Sequence, residues 1–220
     1  MTLSSPSQKW AAILFAASVT FIAYAQSKLP ADLDPQSRAR LPYLKKADLD
    51  AKGQKLLDTF GGTDGALTGP LAFAAYNSGV AQALLDLHNA AVTGGTLDPH
   101  TRELAILAAC RATNYNLEWN AHEASGLKAG IDAKVIDIVR FNRPLTGVDE
   151  KDAAVIRFGR QLLNDKKVDS ATFAKVVELW GKRGAMDMVA AMNTYAVSGF
   201  FAIAVDEHPA EGKPELPPVR

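Results

Sequence analysis

At 220 residues and 48% hydrophobic content, the chain is long enough for one domain with a buried core and too apolar to be disordered. Its 24 basic and 24 acidic residues balance, which removes any electrostatic case for nucleic acid or an anionic surface as partner. A single cysteine, Cys110, excludes an internal disulfide, a CxxC redox couple and a thiolate zinc site.

Residues 1–25 have the pattern of a secretory signal peptide. Lys9 precedes a charge-free run from Trp10 to Tyr24, and Ala23-Tyr24-Ala25 places small residues where a signal peptidase reads them. The competing pattern is an uncleaved anchor. The run is shorter than the ~20 apolar residues of a membrane span, which favours cleavage after Ala25. The mature chain is then expected in the periplasm or outside the cell, free of the membrane. A lone buried thiol suits that compartment.

Residues 26–45, with Pro30, Pro35 and Pro42, are expected to form an extended lead-in on the surface. From 46 to 206 the pattern is helical. A helix over 47–60 is followed by a loop at 61–65, a short apolar helix over 70–77, and a helix from Val80 to Val92. In the last of these Leu84, Leu87 and Ala91 share a face, and Gly94-Gly95 ends it. Asp98 caps the next helix, and Pro99 takes its first position, where a missing N–H is harmless. That helix runs to about Thr113. A turn at Thr113-Asn114 leads to another from Tyr115 or Asn116 to Lys128. Helices over 133–141, 149–164, 169–182 and 184–205 complete the domain, with Gly181 and Gly184 separating the last two. Residues 207–220 carry four prolines and form a tail, or an arm onto a partner subunit. The fold class is all-α, a single-domain helical bundle.

Four polar residues stand within these apolar helices: Glu103, Tyr115, Glu118 and His122. Tyr115, Glu118 and His122 are spaced i, i+3, i+7 and share a helix face. Glu103 lies about as far before the Thr113-Asn114 turn as His122 lies after it. At ~1.5 Å per residue the two meet at one height across an antiparallel helix pair. A carboxylate against an imidazole raises its pKa and fixes its tautomer. A second carboxylate in an apolar pocket can stay protonated and act as an acid, and a tyrosine can donate to an oxyanion. The plain alternative is a helix-surface Glu118/His122 pair worth about a few tenths of a kcal/mol. No metal is expected, because no second histidine sits at ligand spacing. His88, His100 and His208 have no evident partners, and His100 is expected to be solvated.

The stretch Arg102-Glu103-Leu104, then Tyr115-x-x-Glu118-Trp119-x-x-His122, with Gly126 and Gly130 beyond, resembles the core motif of the carboxymuconolactone decarboxylase and alkylhydroperoxidase D superfamily. The resemblance implies an all-helical unit assembled as trimers or hexamers. The peroxidase branch uses a Glu–Cys–Cys–His proton relay. Glu103 and His122 match its ends, while Tyr115 and Glu118 occupy its two cysteine positions. Without two thiols no disulfide can form, and Cys110 is expected to be a small buried residue. The Tyr/Glu/His form looks like the decarboxylase branch. It implies a cofactor-free lyase acting on a small lactone or keto acid, with Glu103, Tyr115, Glu118 and His122 at its site. Arg102 and Arg111 are the nearest cations for a substrate carboxylate, Arg102 being expected in a surface ion pair. Two other functions stay open: a peroxide-reducing antioxidant working through Cys110, and an exported binding protein without catalysis.

Overall fold

Capping residues in the sequence start most of the helices in the computed structural model, which describes residues 30–60 and 65–218. The expected signal peptide, residues 1–25, lies outside that range. Asp50 Oδ1 accepts the Gly53 N–H at the start of α1 (Ala51–Phe60), and Asn77 accepts from Gly79 and Val80 to start α2 (Ser78–His88). Asp98 caps α3 (Pro99–Ala112), which is followed by α4 (Asn116–Lys128). Asp132, Asp149 and Asp169 cap α5 (Ala133–Arg140), α6 (Glu150–Leu163) and α7 (Ser170–Val205). Each cap satisfies backbone donors that the first turn leaves free. Gly181, at φ 69° and ψ 173°, breaks α7 into 170–180 and 182–205. Among the described residues there is no strand, only one isolated bridge between Lys45 and Ala66. The fold is all-α.

Local chemistry moves some boundaries. The helix expected over 47–60 is a 3-10 turn, Lys46–Asp48, then an extended Leu49, then α1, because Asp50 caps a fresh helix. Residues 70–77 form two 3-10 turns, Gly69–Leu71 and Ala74–Tyr76. The helix placed at 80–92 begins at Ser78 and stops at His88, and a π-helical turn, Asn89–Thr93, follows.

The ends of the domain differ more. The lead-in is not laid out along the surface throughout. Asp34 accepts from Gln36 and Ser37 in a tight turn, Arg38 takes φ 55°, and Ala39 is fully buried against Ala72, Phe73 and Val205. The tail folds onto its own chain. Leu216 joins the main core, its N–H donates to Asn116 Oδ1 at 2.6 Å, and Pro217 O accepts from Arg111. Buried apolar side chains and paired backbone groups hold both segments.

α3 is the centre. Leu104, Ala105, Ile106, Leu107, Ala109 and Cys110 are all fully buried, as a helix apolar on every side must be. It packs against α4, α5, α6 and α7. Each large side chain so buried contributes about 1.5–3 kcal/mol. α7 is long and apolar enough to cross a membrane by length and composition, yet 56% of that window is buried inside the domain.

Candidate proton-transfer site

The site depends on the turn between α3 and α4. Asn114 adopts a left-handed φ of 51°, Tyr115 N–H donates to Cys110 O at 2.8 Å, and Asn114 N–H donates to Arg111 O at 3.2 Å. This paired arrangement closes a helix at an αL residue, and asparagine is among the few non-glycine residues that take that conformation readily. The chain therefore reverses at once, and α4 runs back along α3. At Gly126 the two helices approach so closely that a Cβ would lie 3.3 Å from Leu107 Cδ1.

That geometry brings three of the four expected residues together. His122 Nδ1 lies 2.6 Å from Glu103 Oε2, and His122 Nε2 lies 3.3 Å from Glu118 Oε2. The imidazole is thus held between a carboxylate on each helix. All three side chains are 11–15% exposed, so solvent reaches the cluster only narrowly. Burial by itself would lower the His122 pKa. The hydrogen bonds and charges of Glu103 and Glu118 outweigh it and raise the pKa to about 9. A pKa of about 9 leaves the imidazole protonated at neutral pH, with Nδ1 bonded to Glu103 and Nε2 in an ion pair with Glu118.

Tyr115 stands apart. It is the N-cap of α4 rather than part of its face, with an extended ψ of 90°. It borders a cavity of about 220 Å³ whose other wall includes Ile203, Asp206, Glu207 and Glu215. Burial, then the charges of Glu207 and Glu118, push its phenol well up. Glu207 also lines that cavity, and burial with the Glu118 charge raises its carboxyl to about 7.

The sequence pattern missed two aromatic neighbours. Tyr195, from α7, meets His122 edge-on with ring centroids 4.7 Å apart, and burial pushes its phenol up. His88 also lies beside Tyr195, centroids 6.1 Å apart. Burial lowers its pKa, with opposing effects from Glu118 and His122, so it is neutral at pH 7. In the folded chain a π-helical turn, a type that recurs at functional sites, directly follows His88. A tyrosine arriving from a distant helix leaves no local trace.

Of the two candidate cations, Arg102 is at the cluster, its Nε 3.9 Å from Glu103 Oε1. Arg111 is not; it bonds Asn114 and Pro217. His100 is not simply solvated, because Asp152 Oδ1 lies 2.8 Å from its Nε2. Cys110 is fully buried, and burial with the charges of Glu118 and Glu103 pushes its thiol well up. Among the described residues no group of three His, Cys, Asp or Glu side chains is arranged to hold a metal ion.

Fold and site together define an all-helical domain built around a carboxylate–imidazolium–carboxylate cluster. Residues 78–158 match the model of the carboxymuconolactone decarboxylase family, a span that holds Glu103, Tyr115, Glu118, His122 and His88 but not Tyr195. The fold is similar to that of an uncharacterized peroxidase-related protein from Ralstonia eutropha JMP134, described as an alkylhydroperoxidase AhpD core. The TM-score is 0.57 and the identity 17%, over 79% of this chain and 93% of that one. It is also similar to an uncharacterized peroxidase-related protein from Silicibacter sp. TM1040, with TM-score 0.61 and 16% identity over 82% of this chain and 95% of that one. No curated protein matches the chain. Part of the chain is thus similar to the carboxymuconolactone decarboxylase family, and its fold is that of the alkylhydroperoxidase D-like proteins.

Proposed function

We propose that this protein is an exported, cofactor-independent lyase that decarboxylates a small lactone or keto acid. One observation carries the reading: the His122 ring sits between two carboxylates, 2.6 Å from Glu103 and 3.3 Å from Glu118, which favour its protonated form. The looser nitrogen, Nε2, is the proton donor, and Glu103 orients the ring. Arg102 anchors the substrate carboxylate at the rim. As the carbon–carbon bond breaks, carbon dioxide leaves and the electron pair flows into the substrate carbonyl as an enolate. His122 then delivers its proton to carbon and is recharged from solvent. A neutral His88 and a charged His122, both beside Tyr195, would also pair a base with an acid, as a proton shift within a keto acid requires.

The test is a decarboxylation assay on residues 26–220 over a panel of carboxylated lactones and β-keto acids, following carbon dioxide release. Turnover lost in His122→Ala supports the lyase. Folded protein that turns over none of the panel counts against it and favours a binding protein on the same fold. The second reading is peroxide reduction, favoured by the peroxidase-related neighbours. It requires turnover that dies in Cys110→Ser and survives Glu118→Gln. The raised thiol pKa of Cys110 and its full burial weigh against it.

Two further parts of the reading concern place and assembly. Export is tested by sequencing the mature N-terminus, with Gln26 expected first. A trimer or hexamer fits the exposed apolar residues Val80 and Leu87 on α2 and Met186, Phe200 and Ile203 on α7, two helices that pack together. Light scattering on the wild type and on Phe200→Asp tests it, with a monomeric wild type as the contrary result.

A further inference from the structure

An unsatisfied donor lies on the side of α3 away from the proton-transfer cluster. Arg111 is 9% exposed; its Nη1 donates to Asn114 Oδ1 at 2.7 Å and its Nη2 to Pro217 O at 2.8 Å. Its Nε is buried and has no partner. Ala108 and Ala112 border the same space, and at about 100° per residue both sit across the helix from Glu103. The space is a cavity of about 30 Å³, closed further by Val139, Ile156, Arg160 and Asn164. That is more than one water needs. It adjoins a surface groove of about 690 Å³ that shares Asn142, Arg160 and Asn164 and adds Arg143 and Asp165.

The lining is a set of donors. Arg160 spends one N–H on Ile138 O at 3.1 Å, and Arg143 stacks 4.7 Å over Phe141. Among the described residues, the ion pairs within 4.0 Å include none made by Arg111, Arg143 or Arg160. Helices α3, α5 and α6 all end here, and each C-terminus brings about half a negative charge. Three guanidiniums outweigh those three ends together with Asp165, which borders only the outer groove. A buried guanidinium N–H without an acceptor is destabilising, and two planar guanidiniums beside two carboxamides match an oxyanion.

We propose that this inlet binds a small oxyanion, a phosphate or a short carboxylate, held by Arg111 Nε and Arg160 with Asn142 and Asn164 at its mouth and Arg143 at its rim. The site is separate from the Glu103–His122–Glu118 cluster, and its existence does not depend on the lyase reading.

Inorganic phosphate and sodium acetate, titrated separately into the full chain at pH 7.5 and fixed ionic strength, test it by thermal unfolding. A saturable rise in melting temperature is expected, about 4 °C at ten times the dissociation constant. Saturation by phosphate alone marks a tetrahedral ligand, by acetate alone a planar carboxylate, and by both a general oxyanion site; each supports the proposal. Arg160→Gln should weaken the affinity at least tenfold, and Glu103→Gln should leave it unchanged. If Arg160→Gln does not fold, Arg143→Gln at the exposed rim should still weaken it about threefold. A shift no larger than chloride produces, or wild-type affinity in the variant that folds, overturns the proposal and leaves the inlet to water.

Discussion

Replacing His122 with glutamine should remove a pH dependence from the stability of the whole domain. His122 has an ordinary pKa of 6.5 unfolded and about 9 folded. A group whose pKa is raised by folding stabilises fully below its unfolded value. That contribution is lost as pH rises through the folded value, here between about 6.5 and 9. At about 1.4 kcal/mol per tenfold change, the gap corresponds to on the order of 3 kcal/mol. The side chain is only 15% exposed, so solvent screening takes little from this figure. Urea unfolding of wild type and His122→Gln, measured from pH 6 to 10, separates this effect from every other titration. The wild type should lose about 3 kcal/mol more than the variant across that window. The deficit of the variant should be largest near pH 6, where two carboxylates face each other without their cation. Parallel curves for the two proteins would refute the clamped imidazolium.

Other perturbations probe the frame around the site. Glu207→Gln should behave in a different window: its folded pKa of about 7 lies above the usual 4.5, so wild-type stability falls as pH rises from about 4.5 to 7. The variant should be more stable than wild type above pH 7, by up to on the order of 3 kcal/mol in chemical denaturation. Asn114→Val puts a β-branched residue at φ 51° in the α3–α4 turn and should destabilise by about 1–3 kcal/mol, read as a lower melting temperature, while Asn114→Gly keeps the turn and should lose only the Arg111 hydrogen bond, about 1 kcal/mol. Gly199→Ala would set a Cβ 2.3 Å from Thr113 Oγ1, where α7 crosses the end of α3. It should destabilise by about 1–3 kcal/mol in the same assay and expand the α7 contact, with Gly199→Ser worse.

What the chain determines by itself is local. Asp98 with Pro99, Asp132, Asp149 and Asp169 mark helix starts because a short side chain satisfies donors two or three residues on. The Thr113-Asn114 turn and the spacing from Glu103 to His122 follow from helix rise alone, so the meeting of those two side chains was legible in advance. Tertiary structure decided the rest. Tyr195 and His88 come from helices whose own patterns show only a core tyrosine and a helix-end histidine, and long-range packing brings them to His122. The same packing turns Arg102 toward the cluster and Arg111 away from it, although both lie on one helix. It folds the lead-in and the tail onto the core, where Ala39 and Leu216 are buried by contacts far apart in sequence. It also settled where the proton sits. Spacing can bring an imidazole between two carboxylates, but charge state depends on burial weighed against both partners at once, and that balance exists only in the folded chain.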